Sequence, residues 1–148
     1  MSQSLSSVLV HLVFSTKNRQ PIIASLLRDE LHRYIGGICR NMKSPLLCAG
    51  GMEDHVHCLV CLARTVCVSD LMEKVKTGTS KWMKEKGVAG FYWQSGFGAF
   101  SIGKSAEQEL RDYITDQSKR HAVMTFQDEY RLFLRRYEIE FDEMYVWD

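Results

Sequence analysis

Residues 46–63, LLCAGGMEDHVHCLVCLA, constrain this chain more than any other stretch. Two apolar runs, 46–51 and 55–63, flank a turn spelled GGMED. A link this short cannot carry a crossover connection, so the two runs are expected to pair as an antiparallel hairpin. The second run opens with His55 and His57. Residues two apart on a strand project from one face, so the imidazoles share a side and Val56 points to the opposite, packed one. The strand rise sets their Cβ atoms about 6.5–7 Å apart, which lets both rings converge on one ion. Imidazole is the commonest metal ligand. The same spacing also suits two polar residues on a solvated face.

The hairpin sits inside a longer alternation. SVLVHLVFST (7–16) is rich in Val, Leu and Phe and reads as a strand that KNRQP breaks. Residues 22–40 place Leu26, Leu27, Leu31, Tyr34, Ile35 and Ile38 at helical spacing, and NMKSP ends that helix. A second helix is expected over 69–86, with Ser69 as N-cap and Val68, Leu71, Met72, Val75, Trp82 and Met83 as its apolar stripe. FGAFSI (97–102) reads as a strand. Beyond Gly103 and Lys104 a helix starts at Ser105, where Ser105 and Gln108 fit a capping box. A last helix runs from Thr125 through Tyr137. The order β-α-β-β-α-β followed by helices predicts an α+β fold. It is a ferredoxin-like or RRM-like antiparallel sheet with helices on a face, in a single domain spanning 1–148.

Composition narrows the function classes. The 148 residues are 45% hydrophobic and 25% charged, and the net charge is +1. Such a chain can bury a core, but no global basic field announces nucleic acid, so any such contact must come from a local patch. No apolar run approaches the ~20 residues of a membrane span, and the N-terminus lacks signal-peptide character, so a cytoplasmic protein without membrane contact is expected. The five cysteines have no framework spacing and read as free thiols. Cys58 and Cys61 form a C-x-x-C beside the histidines. On a strand, however, residues three apart face opposite sides, which favours small core hydrophobes over zinc ligands.

Two histidines do not complete a metal site. In RDYITDQSKR, Tyr113 and Gln117 are four apart and share one helix face. Tyr113 offers a phenolate nucleophile and Gln117 a neutral oxygen ligand. Nitrogens combined with carboxamide and phosphate oxygens suit Mg²⁺ or Mn²⁺ better than a closed zinc cage. With Leu110 and Ile114 as neighbours, Tyr113 equally fits a core aromatic.

Several blocks occur in a fixed order: HLVFSTKNRQPI, GGMEDHVHCLV, KTGTSKWM, FYWQSGFGAFSI and YITDQ. With them the chain resembles the single-tyrosine HUH transposases of small bacterial insertion sequences, the IS200-like family, and their relatives the REP-associated tyrosine transposases. The resemblance implies an enzyme that binds single-stranded hairpin DNA and cuts and rejoins one strand. His55, His57 and Gln117 match the family's metal ligands and Tyr113 its nucleophile, which forms a 5′-phosphotyrosine link. It further implies Mg²⁺ or Mn²⁺, and a homodimer whose tyrosine lies beside the partner's histidine pair. The enzyme would either mobilise its own element or, as a domesticated relative, act on dispersed palindromes. A non-catalytic RRM-like module that binds single strands on its sheet is the alternative.

Lys17, Arg19, Lys76, Lys81, Lys104, Arg111, Lys119 and Arg120 are the candidate phosphate contacts. His11 reads as a structural histidine. Glu53 and Asp54 read as turn residues or as groups that orient a ligand. His32 and His121 are expected in solvent, and Trp82, Tyr92 and Trp93 in packing.

Overall fold

In a computed structural model, which describes residues 2–148, four strands form one antiparallel sheet in the order β2-β3-β1-β4. They are β1 (Leu9–Ser15), β2 (Leu46–Gly51), β3 (His55–Cys61) and β4 (Gly98–Ile102). The expected hairpin is β2-β3. All seven residues of β1 are buried, as suits a central strand covered on both sides.

On one face, Val10, Leu12, Phe14, Val56, Cys58 and Val60 pack against two helices. These are α1 (Ser25–Asn41), which buries Leu31, Ile35 and Cys39, and α2 (Val68–Glu85), which buries Leu71, Met72, Val75 and Met83. Helix α1 starts three residues later than its periodicity suggests. Pro21 to Ala24 stay outside the helix, and the Ile23 amide donates to the Glu53 carbonyl at 2.9 Å, tying this segment to the β2-β3 turn. Helix α2 is capped by Cys67, whose sulfur accepts from the Asp70 amide at 3.4 Å, and not by Ser69. Cys58 and Cys61 face opposite sides and join different apolar clusters, so they form no common site.

The second face is covered as well, by the helices that the sequence pattern predicts after the last strand without assigning them a face. A 3-10 turn at Lys104–Ala106 leads into α3 (Glu107–Thr115), and the expected Ser105–Gln108 capping box does not form. Asp116 interrupts the helix, α4 (Gln117–Arg120) follows, and α5 (Phe126–Arg136) closes the layer. Thr125 caps α5 as expected, accepting from the Asp128 amide at 3.2 Å.

One residue sets how closely α3 approaches. Gly50 pairs with His57 across β2-β3, and a Cβ at Gly50 would lie 2.1 Å from the Ile114 carbonyl oxygen. Only a residue without a side chain lets the helix backbone settle here, next to the residue that follows Tyr113. Arg111 fastens the same contact by donating to the Leu47 carbonyl at 2.9 Å. Gly50→Ala must therefore push α3 off the sheet. It is expected to cost about 1–3 kcal/mol in urea unfolding, the usual range for overpacking; an unchanged midpoint would contradict so close an approach.

Candidate active site

Strand β3 delivers His55 and His57 to the face covered by α3–α5, and both are fully buried there. Their rings meet nearly at right angles with centroids 5.1 Å apart. The expectation of a shared face holds, and the alternative of two polar residues on a solvated face does not. Tyr113 lies over the chain's own His57, ring centroids 5.9 Å apart, so the nucleophile candidate and the histidine pair sit together within this chain.

A carboxylate that the sequence analysis missed joins these groups. Glu129, on α5 and 1% exposed, accepts from His57 Nε2 at 2.9 Å, His121 Nε2 at 3.2 Å and Gln117 Nε2 at 3.2 Å. Its second oxygen accepts a short hydrogen bond from the Tyr113 hydroxyl. Burial works against its charge, but the donors from His121, His57 and Tyr113 outweigh burial and hold the carboxyl well below the usual carboxylate range. The Tyr113 phenol moves the other way. Burial first, and then the adjacent carboxylate, raise it well above the ordinary phenol value, so this arrangement keeps the hydroxyl protonated.

His121 is half-buried in the site instead of solvated. Burial lowers its proton affinity, yet the Glu129 hydrogen bond and charge leave it raised overall. The Nε2 of His32 is also not solvated: it is buried with no hydrogen-bond partner among the described residues. Of the site members that the sequence did not indicate, Glu129 carried a signal. Glu129 falls within the apolar stripe of Phe126, Tyr130, Phe133 and Leu134, an unusual place for an acid unless it is paired.

The donor set fits a divalent cation. A carboxylate only accepts, so Asp54, 2.7 Å from His55 Nδ1, fixes the proton there and turns Nε2 inward. That Nε2 then faces Gln117 Oε1 at 2.9 Å, and the amide's own orientation is set by its Nε2 donating to Glu129. Two electron-pair donors facing each other need a proton or a cation between them. His55, His121 and Glu129 also offer ligand atoms within 4.8 Å of one another. Imidazole nitrogens beside carboxamide and carboxylate oxygens are a mixed hard set, suited to an ion that keeps open positions.

His11 is part of the same network. On β1, diagonal to His57, its Nε2 lies 2.8 Å from His57 Nδ1, and the two rings stack at 5.1 Å. Burial, with the neighbouring His57, pushes its pKa down to about 3. His57 is likewise lowered by burial, partly offset by Glu129. Both rings are neutral at pH 7. His57 donates from Nε2 to Glu129, so its Nδ1 accepts from His11. Freeing His57 Nε2 for a ligand bond requires its proton on Nδ1, and a neutral His11 can then accept.

The basic candidates separate by position. Lys76 lies on α2, across the sheet from Tyr113. Its ammonium donates to the carbonyls of Gln94 and Ser95 at 2.8 and 3.1 Å, with Gly96 as a third acceptor, and burial lowers its pKa to about 8. It anchors a loop and is not available to a phosphate. Lys81 is exposed on the same far helix, and Trp93 is core, its indole donating to Thr79 at 2.8 Å. Lys104 and Arg111 both pair with Glu107, Lys119 lies 3.9 Å from Asp116, and Lys17 is exposed at the end of β1. Arg19 lies over the Trp147 ring at 5.6 Å. Of the eight candidates, Arg120 alone leans on the nucleophile candidate, its guanidinium 4.8 Å from the centre of the Tyr113 ring.

The profile described as "Transposase IS200 like" matches residues 4–117, most of the chain, and the chain belongs to that family. The match ends at Gln117, so His121 and Glu129 lie beyond it. Two solved structures share the fold. A protein of Deinococcus radiodurans R1, described as a candidate transposase, is 18% identical with a TM-score of 0.61, over 77% of this chain and 95% of its own. A REP-associated tyrosine transposase, solved bound to a REP hairpin, is 17% identical with a TM-score of 0.63, over 84% of this chain and 76% of its own. A search of curated proteins returned no significant match. No helix among the described residues is long and apolar enough to cross a membrane.

The depressed pKa of His11 has a measurable consequence for stability. Below about pH 6.5 the unfolded chain protonates this residue while the folded chain, with its value near 3, does not. Stability contributed by neutral His11 is therefore present above pH 6.5 and lost as pH falls towards 3. His121, raised in the fold, works in the opposite sense. Comparing wild type with His11→Leu isolates the first effect. Denaturant unfolding from about pH 6 to pH 4 should show a wild-type slope steeper by about 1.4 kcal/mol per pH unit, one proton's worth. Parallel slopes would mean that His11 takes up its proton in the fold.

Proposed function

We propose that this IS200-like transposase cuts and rejoins single-stranded DNA, with Tyr113 as nucleophile. The observation that carries the proposal is the Tyr113 hydroxyl hydrogen-bonded to the same carboxylate that accepts from His57, in a chain whose family match runs through both Tyr113 and Gln117. The Tyr113 oxygen attacks a backbone phosphorus. The new bond is P–O(Tyr113) and the broken bond is P–O3′. The phenol proton passes through Glu129 to the 3′ oxygen, which leaves as a free hydroxyl. One phosphodiester replaces another, so the link conserves the bond energy needed for rejoining, and attack by a 3′-OH reverses the step and frees the tyrosine. Hairpin ends, as in the complex of the REP-associated relative, are the proposed substrates.

His55, His57 and Gln117, with Glu129 beside them, are the residues that would hold Mg²⁺ or Mn²⁺. Such an ion supplies charge that balances Glu129 and the phosphate, and it favours loss of the phenol proton. Asp54 and His11 keep the imidazoles turned inward, and the buried surroundings exclude water that would hydrolyse the tyrosyl link. Because every one of these groups belongs to a single chain, a homodimer is proposed only as the assembly that brings two such sites to two DNA ends.

Single-stranded oligonucleotides tiled across the DNA flanking the gene test this. Wild type should form a covalent adduct that depends on Mg²⁺ or Mn²⁺. Tyr113→Phe should bind equally and form none, and His55→Ala should form none. An adduct with Tyr113→Phe would identify another nucleophile, and undiminished cleavage in excess chelator would remove the metal from the reaction. Mixed Tyr113→Phe and His55→Ala chains should stay inactive, since neither subunit then holds a whole site; restored cutting would mean the tyrosine works across subunits.

A further inference from the structure

We propose that Arg120 and Arg136 form a clamp for the backbone phosphate beside Tyr113, so that the cleft over the tyrosine is a dedicated phosphodiester site; this rests on the function proposed above. Two cavities of about 130 and 210 Å³ adjoin the Tyr113 side chain, and Tyr113, Arg120, Phe133 and Arg136 line both. Arg120 arrives from the end of α4 and Arg136 from the end of α5. The Arg120 guanidinium lies over the Tyr113 ring and that of Arg136 lies 6.0 Å from the Phe133 ring centre. Aromatic faces thus hold two cations at the mouth of the site.

These two arginines combine a place on the cleft wall with a lack of acidic partners. Arg28, Arg111 and Arg131 each pair with a carboxylate, whereas among the described residues neither Arg120 nor Arg136 forms an ion pair or a side-chain hydrogen bond. Each leaves five N–H donors unused. The acids that share the cavities do not meet this need. Glu129 already accepts from four side chains, and Glu109 stands on the wall of the larger cavity without pairing to either arginine. Two planar forks beside the half-buried Tyr113 match the oxygens of a phosphodiester, which guanidinium binds bidentately. They also offset repulsion between the incoming phosphate and Glu129. With a net charge of only +1, the chain has no general basic field to do this. Arg136 carries no motif signal. It is one arginine in an exposed pair, and only the return of α5 across the sheet face brings it to Tyr113.

The test uses a short fluorescent oligothymidylate, with affinity read by anisotropy across a range of salt. Arg120→Gln/Arg136→Gln should lower the log–log salt slope by about 0.7, the value for the one single-strand phosphate that the pair holds. Arg40→Gln/Arg64→Gln, the same change in charge on exposed residues away from the cleft, should leave it nearly unchanged. Thermal melts confirm that all variants fold. If both double variants lose the same slope, or neither loses any, the clamp is overturned. The adduct assay on flanking DNA separates this outcome from failure of the proposed function. An active wild type with adduct yield reduced about 100-fold in the cleft variant supports both. A wild type that forms no adduct, with the slope loss still specific to the cleft pair, sinks strand transfer and leaves an anion-binding cleft.

Discussion

The buried charge of Glu129 is the constraint around which the second face of this protein is organised. An uncompensated carboxylate in that position would cost several kcal/mol, so its donors are a condition of folding as well as a site. Tyr113, Gln117 and His57 come from α3, α4 and β3 and His121 from the turn after α4, and the one carboxylate draws them together. The same contacts set the chemistry. They lower the acid, raise the phenol and leave the tyrosine protonated until charge arrives to rebalance the centre.

That arrangement depends on how closely α3 lies on the sheet. Gly50 opposite His57 removes the one side chain that would hold the helix away, and Arg111 ties the helix to β2. The polar cluster is therefore assembled by a packing contact. Around it, Phe126 stacks on His55 and Phe133 packs edge-on against Tyr113, so the rings that orient the site also seal it.

The two faces of the sheet divide the basic residues by role. Lys76 and Lys81 lie on the layer that only covers the core, and Lys76 is bound to three carbonyls. Arg120 and Arg136 lie on the layer that carries Tyr113. Sequence motifs do not distinguish these groups, because a lysine in a helix stripe and an arginine at a helix end look equally solvated until the helices are placed.

Much of the fold was legible because its signals are local. The Val, Leu and Phe content of β1, the apolar run of β3, the helical stripes of α1 and α2 and the turn chemistry at Gly50–Asp54 give the sheet and its first layer, and the spacing of His55 and His57 puts both on one face. The Tyr113 and Gln117 spacing survives the break at Asp116, since the two residues still reach a common carboxylate. Helix starts moved where a neighbour competed: Cys67 took the cap expected of Ser69, and a 3-10 turn replaced the capping box at Ser105. Sequence alone thus determined the order of elements, the face that carries the histidines and the residue types of the centre. Only the tertiary structure decided that α5 folds back over that face and that Glu129 and His121 enter the centre, because the meeting of distant helices across a sheet is set by long-range packing that no local pattern specifies.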